Sequence, residues 1–245
     1  MKRYQHTYSI TVADIDPQNR MTAGAVLCYF QDTIGRFLAR ARVSALDLVK
    51  EGKTWMITEF HSFLADKLPA WPGSICVEVF LSELSSLRAY VDYSVKEEGG
   101  AVVAQGSSCW LMVELASRQM IPCTDIARFA SQYDPQNYVP HRRFAFPPFT
   151  CSDGMLMTEH TVSALETDFN GHMNNRDSVR LAMSLTRPEW IVNRTIRELH
   201  VKFLRECRSG EKLSCLCRNH SHGLIDALLA KPDGTSVCQI ATIWL

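Results

Sequence analysis

The sequence predicts an α+β protein built twice in tandem, each half a central helix wrapped by an antiparallel β-sheet. Three observations predict it. A polar stretch, "ETDFNGHMNNR" (166–176), has a degraded copy in "DIDPQNRMTAG" (14–24), pairing Asp168 with Asp16, Asn170 with Gln18, His172 with Arg20 and Met173 with Met21. Further matches follow in the same order: "ITEFHSFLADK" with "IRELHVKFLRE", Gly73 with Gly210, and "EEGGAVV" with "KPDGTSV". In each copy the hydrophobic period runs strand, loop, helix, then four strands.

The elements read in chain order. "YQHTYSITV" and "MLMTEHTVSAL" are the first strands of the two copies. After the first polar loop, Val26, Phe30, Ile34, Phe37 and Ala41 recur at three-to-four spacing with Asp32, Arg36 and Arg40 between them, an amphipathic helix with a broad apolar face. The second helix is shorter, and Pro188 is expected to end it. "ICVEVFL" and "LHVKF" alternate with period two, and Gly-Gly or Asp-Gly turns join the last pair of strands in each copy. The prolines at 135, 140, 147 and 148 mark 131–154 as an extended linker between an N-terminal domain (1–130) and a C-terminal domain (155–245). At 245 residues the chain can give each half its own core.

Composition excludes several classes. Lys+Arg and Asp+Glu are equal at 26 each, so no global charge draws the chain to nucleic acid or an anionic membrane. Apolar runs stay short of a membrane helix, and "MKRYQHTYSITV" lacks the apolar region of a secretory signal. Nine scattered cysteines fit reduced thiols in a cytoplasm, and "CLC" (215–217) has no second ligand pair at zinc spacing. No metal and no cofactor are expected.

The loop and the segment "FLRECRSGEKLS" carry a resemblance. "DxNxHxNN" followed by "REC" in the second of two repeats resembles the acyl-acyl carrier protein (acyl-ACP) thioesterases, tandem double hot-dog enzymes. The resemblance spans nearly the whole chain and implies hydrolysis of a fatty acyl thioester on acyl carrier protein, to free fatty acid and holo-carrier. By matching positions it implicates Asp168, Asn170, His172 and Glu206 in catalysis, with Cys207 matching a cysteine once considered for the nucleophile. It departs at Ser178, where the family usually has an aromatic residue.

The chemistry suits these residue types. Thioester hydrolysis needs an activated water and a held oxyanion. Glu206 or His172 can serve as the base, Asn170 can orient water or carbonyl, and Asp168 can fix the loop. A helix starting near Asn174 offers first-turn N–H groups to the oxyanion. In copy one Arg20 and Lys67 replace His172 and Glu206, and neither is a base at neutral pH, so one site in the C-terminal half is expected, with the N-terminal half as scaffold and acyl-chain pocket.

Accessory candidates are Cys207, read as a small strand residue, and Asn174 and Asn175, read as capping and loop-shaping residues. His61 and His200 match across the copies and are read as structural. Arg176, Arg180, Lys202 and Arg205 are docking candidates for an acidic carrier. A homodimer is one assembly the sequence leaves open. An acyl-coenzyme A substrate and a non-catalytic thioester binder are the rival readings. A dehydratase fits less well, because "LAMSLTRPEW" has no acid before Glu189.

Overall fold

The computed structural model describes residues 2–136, 144–146, 148–149, 155–220 and 222–245. Much of the expected linker, 131–154, lies outside the described residues. The chain divides into two compact units, 1–142 and 143–245.

The first unit begins with β1 (Arg3–Ser9) and α1 (Ala23–Arg40), followed by the short α2 (Ala45–Val49). Strands β2 (Lys53–Leu64), β3 (Ser74–Leu84), β4 (Ala89–Glu97) and β5 (Val102–Glu114) follow, then β6 (Met120–Ile121) and α3 (Ala127–Ala130). The strands lie in the antiparallel order β1-β3-β4-β5-β2, with β6 on β5. Thr22 caps α1 by accepting a hydrogen bond from the Ala25 N–H at 3.1 Å.

Val26, Phe30, Ile34 and Phe37 of the sequence stripe are buried, while Ala41 falls one residue past the helix as its C-cap. Phe30 packs its ring 5.4 Å from Phe60 and 4.8 Å from Tyr93. Tyr93 in turn lies across Gly106, where a Cβ would come within 2.4 Å of the ring and 2.0 Å of the His61 carbonyl. Only glycine fits at that crossing.

The second unit repeats the plan in shorter form. It contains β7 (Leu156–Thr161), α4 (Asn175–Met183), α5 (Pro188–Asn193), β8 (Ile196–Phe203), β9 (Lys212–Asn219), β10 (Leu224–Ala230) and β11 (Ser236–Trp244). Its antiparallel order is β8-β11-β10-β9-β7, and α4 packs on β9, β10 and β11. The predicted hairpins match bond for bond. Glu97 and Ala101 pair as Lys231 and Thr235 do, with Gly100 and Gly234 at φ 83° and 84°.

Pro188 does not end the second helix. That helix stops at Met183, where the Ser184 N–H turns back to the Arg180 and Leu181 carbonyls, and Pro188 opens α5 instead. At a first helical position proline gives up only an N–H that has no intrahelical acceptor.

"CLC" lies in β9 as read, and the eight described cysteines form no disulfide. Among the described residues no helix is long and apolar enough to cross a membrane.

Candidate active site

The polar loop is built by its own backbone. Asp168 Oδ1 accepts the N–H of Asn170 at 2.8 Å and of His172 at 3.3 Å, while the Asp168 N–H donates to the His172 carbonyl at 2.8 Å. The first copy has the same bonds. Asp16 Oδ1 accepts from Gln18 and Arg20 at 2.9 Å each, and its N–H donates to the Arg20 carbonyl at 2.8 Å. Asp168 therefore shapes the loop, a task shared by both copies. Asn170 is exposed at the loop tip, its amide 3.5 Å from Asp168 Oδ2.

What differs between the copies is the side chain at the end of the loop. Arg20 turns back onto Asp16 at 2.8 Å. His172 instead presents Nε2 to Glu206 Oε2 at 3.2 Å. The contact lies at ion-pair distance but off the hydrogen-bond axis. Among the described residues that buried nitrogen has no aligned hydrogen-bond partner.

Two backbone contacts bring the pair together: an isolated bridge between His172 and Arg208, and a bond from the Met173 N–H to the Cys207 carbonyl at 2.7 Å. The matching bond in copy one runs from Met21 to Pro69. By that register Leu68, buried and apolar, takes the place of Glu206, one residue from the Lys67 that sequence spacing pairs with it. Either residue leaves the first copy without a base.

The helix start is where the sequence places it. Asn174 is the N-cap, its Oδ1 accepting the Arg176 N–H at 2.9 Å. Its carbonyl takes the N–H groups of Asp177 and Ser178 at 3.0 Å each. The Asn175 N–H is the first-turn donor that no bond among the described residues takes up, and it sits at the positive end of the α4 dipole. Ser178 is buried, its hydroxyl turned 3.4 Å toward the Asn174 carbonyl.

Cys207 is 2% exposed, and burial pushes its thiol up to about 11, so it is protonated at neutral pH. Its carbonyl, rather than its sulfur, is what reaches the loop. His61 and His200 face Glu59 and Glu198, at 3.5 and 2.8 Å, in both copies. The docking candidates divide. Arg176 and Arg180 share buried Asp177, at 3.2 and 3.4 Å, yet keep exposed guanidinium groups. Lys202 and Arg205 are exposed, Arg205 donating to its neighbour's carbonyl at 3.0 Å.

Three residues that support the site escaped the sequence reading. Glu166 closes a capping box with Ser163, binds His160 Nε2 at 2.9 Å, and offers its carbonyl to the Asn174 N–H at 2.7 Å. Burial alone would raise its carboxyl, but the bonds from Ser163 and His160 hold it below the usual range. "SALE" (163–166) was the available signal. Glu211 accepts the Arg208 N–H at 2.7 Å and the Lys231 ammonium at 2.8 Å, steadying the corner that carries Glu206. Asp177 occupies the first turn of α4, where copy one has Ala25; its spacing to Arg180 was the signal.

The chain is a duplicated helix-on-sheet fold, with an imidazole–carboxylate pair beside the start of α4 that the matching loop of the first copy lacks. Family models for the acyl-ACP thioesterase N-terminal domain and C-terminal domain match residues 1–128 and 152–245, and the chain belongs to that family.

Two solved structures share the fold. An acyl-ACP thioesterase from Bacteroides thetaiotaomicron is 18% identical with a TM-score of 0.87, covering 100% of this chain and 98% of that one. The 12:0-ACP thioesterase from Umbellularia californica is 16% identical with a TM-score of 0.89, at the same coverages. A comparison with curated protein sequences gave no match.

Proposed function

We propose that this thioester hydrolase acts on fatty acyl groups carried by acyl carrier protein, with the His172–Glu206 pair activating water. One observation carries the reading: two loops with the same backbone bonds hold an imidazole against a carboxylate in one copy and an arginine against an aspartate in the other. A purely structural loop has no reason to differ there.

Water gives a proton to the pair as its oxygen bonds to the thioester carbon. The carbonyl oxygen, now an oxyanion, is held by the Asn175 N–H at the start of α4. Collapse breaks the carbon–sulfur bond, and the proton returns to the departing phosphopantetheine thiolate. Free fatty acid and holo-carrier result, with no cofactor. Asp168, Glu166 and Glu211 keep loop and corner in register, and the buried Cys207 thiol takes no covalent part.

The N-terminal unit serves as scaffold and acyl-chain pocket, the cytoplasm is the compartment, and a homodimer is the assembly to be checked by sedimentation velocity. The second reading is the same hydrolysis of acyl-coenzyme A, which presents the same arm.

Free-thiol release decides, measured on acyl-ACP and acyl-coenzyme A substrates from eight to eighteen carbons, with wild type, His172→Ala and Glu206→Ala in parallel. Carrier-dependent turnover lost in both variants is expected. Undiminished turnover in the variants would move the active site elsewhere. Binding without turnover by the wild type would make this a thioester-binding protein.

A further inference from the structure

The active-site loop exposes two large apolar side chains. Leu165 is 93% exposed and Phe169 62%, one before Asp168 and one directly after it. At the same places the first copy has Ala13 and Pro17, although its loop carries the same backbone bonds. The pair is therefore peculiar to the loop that carries His172, the first copy exposing only Val12, at 65%, among the large apolar side chains of its loop. Loop geometry does not require it, since copy one builds the loop without it. Two large apolar side chains exposed on one short loop offer apolar surface that a partner can cover.

The ionic setting narrows the partner. Across 164–180 and 204–208 the exposed charged side chains are Arg176, Arg180, Arg205, Arg208 and Glu206. The other acids of these segments are engaged locally: Asp168 with backbone N–H groups, Glu166 with Ser163 and His160, and Asp177 with its two arginines. The segments that carry His172 and Glu206 thus expose four arginines against one glutamate, and the loop of His172 adds two large apolar side chains.

We propose that Leu165 and Phe169 are the apolar anchor on which the acidic carrier protein docks, with the arginines of the same segments orienting it. The proposal rests on the acyl-ACP reading above and adds the surface that tells carrier from coenzyme A. A carrier delivers its acyl group on a tethered arm, so its body must rest beside the loop. Coenzyme A has no protein body and never touches the pair.

The test is Leu165→Ser/Phe169→Ser, two exposed positions outside the catalytic set. Steady-state kinetics on acyl-ACP and on acyl-coenzyme A of matched chain are paired with binding of holo-acyl carrier protein by fluorescence anisotropy. An apolar hot spot predicts that kcat/KM on acyl-ACP falls about tenfold or more, mainly through KM. Turnover of acyl-coenzyme A stays near wild type, and holo-carrier binding weakens in parallel. Equal losses on both substrates would show a loop-shaping role and overturn the proposal. So would unchanged values on both, including the case in which the variant loses only binding to phosphatidylglycerol vesicles or self-association. If the wild type hydrolyses neither substrate, the thioesterase reading fails separately. Holo-carrier binding then still decides the docking surface: weakened in the variant it stands, unchanged it falls.

Discussion

His172 Nε2 lies 3.2 Å from Glu206 Oε2, although one residue precedes α4 and the other follows β8. The His172–Arg208 bridge and the Met173-to-Cys207 bond hold the two segments together, so the pair depends on backbone as much as on side chains.

If the two residues work as one unit, their losses are not additive. His172→Ala and Glu206→Ala should each lower kcat by about 10²–10⁴-fold, and the double variant should fall little further than the worse single one. Full additivity in stopped-flow or steady-state thiol release would mean independent roles.

Cys207→Ala should retain most activity. The thiol's value of about 11 keeps it protonated across the working range, so no limb of the pH–rate profile belongs to it. A variant that folds normally by circular dichroism but is inactive would restore the cysteine as nucleophile.

Glu166 makes a stability prediction with a definite sign. Its carboxyl is held below the usual range in the fold, so the stability it contributes is fully present above the unfolded value of about 4.3 and is lost as pH falls through the folded one. Glu166→Ala should therefore melt lower than wild type at pH 7, and the gap should narrow as pH falls below the unfolded value. A gap independent of pH would trace the effect to lost packing.

Glu211→Ala removes the acceptor of the Arg208 N–H and frees the corner that bears Glu206. The expected outcome is a fall in kcat with KM largely kept, and partial rescue by Glu211→Gln, which retains an acceptor for that N–H. Loss of KM alone would place Glu211 in substrate binding instead.

Arg20→Ala probes the other copy. The Arg20–Asp16 pair is partly exposed, so losing it should cost stability at most about 1 kcal/mol and leave turnover unchanged. A large fall in kcat would bring the first loop into the reaction and break the one-site reading.

The sequence by itself determined the duplicated plan, the helix stripe from Val26 to Phe37, the hairpins at Gly100 and Gly234, and the loop whose histidine survives in one copy. Each is a local pattern: a period, a turn residue or a spacing is written in neighbouring residues and needs no distant partner to be read. The tertiary structure alone decided which residues meet. It set Leu68 at the place of Glu206, because a single bond to Met21 fixes a register that residue counting across loops of unequal length misses by one. It turned Cys207 inward, made Pro188 a beginning rather than an end, and gave Glu166 and Glu211 their supporting roles. Those outcomes depend on contacts between strands, loops and helix termini far apart in the chain, where packing and backbone hydrogen bonds choose among pairings that one-dimensional spacing leaves equal.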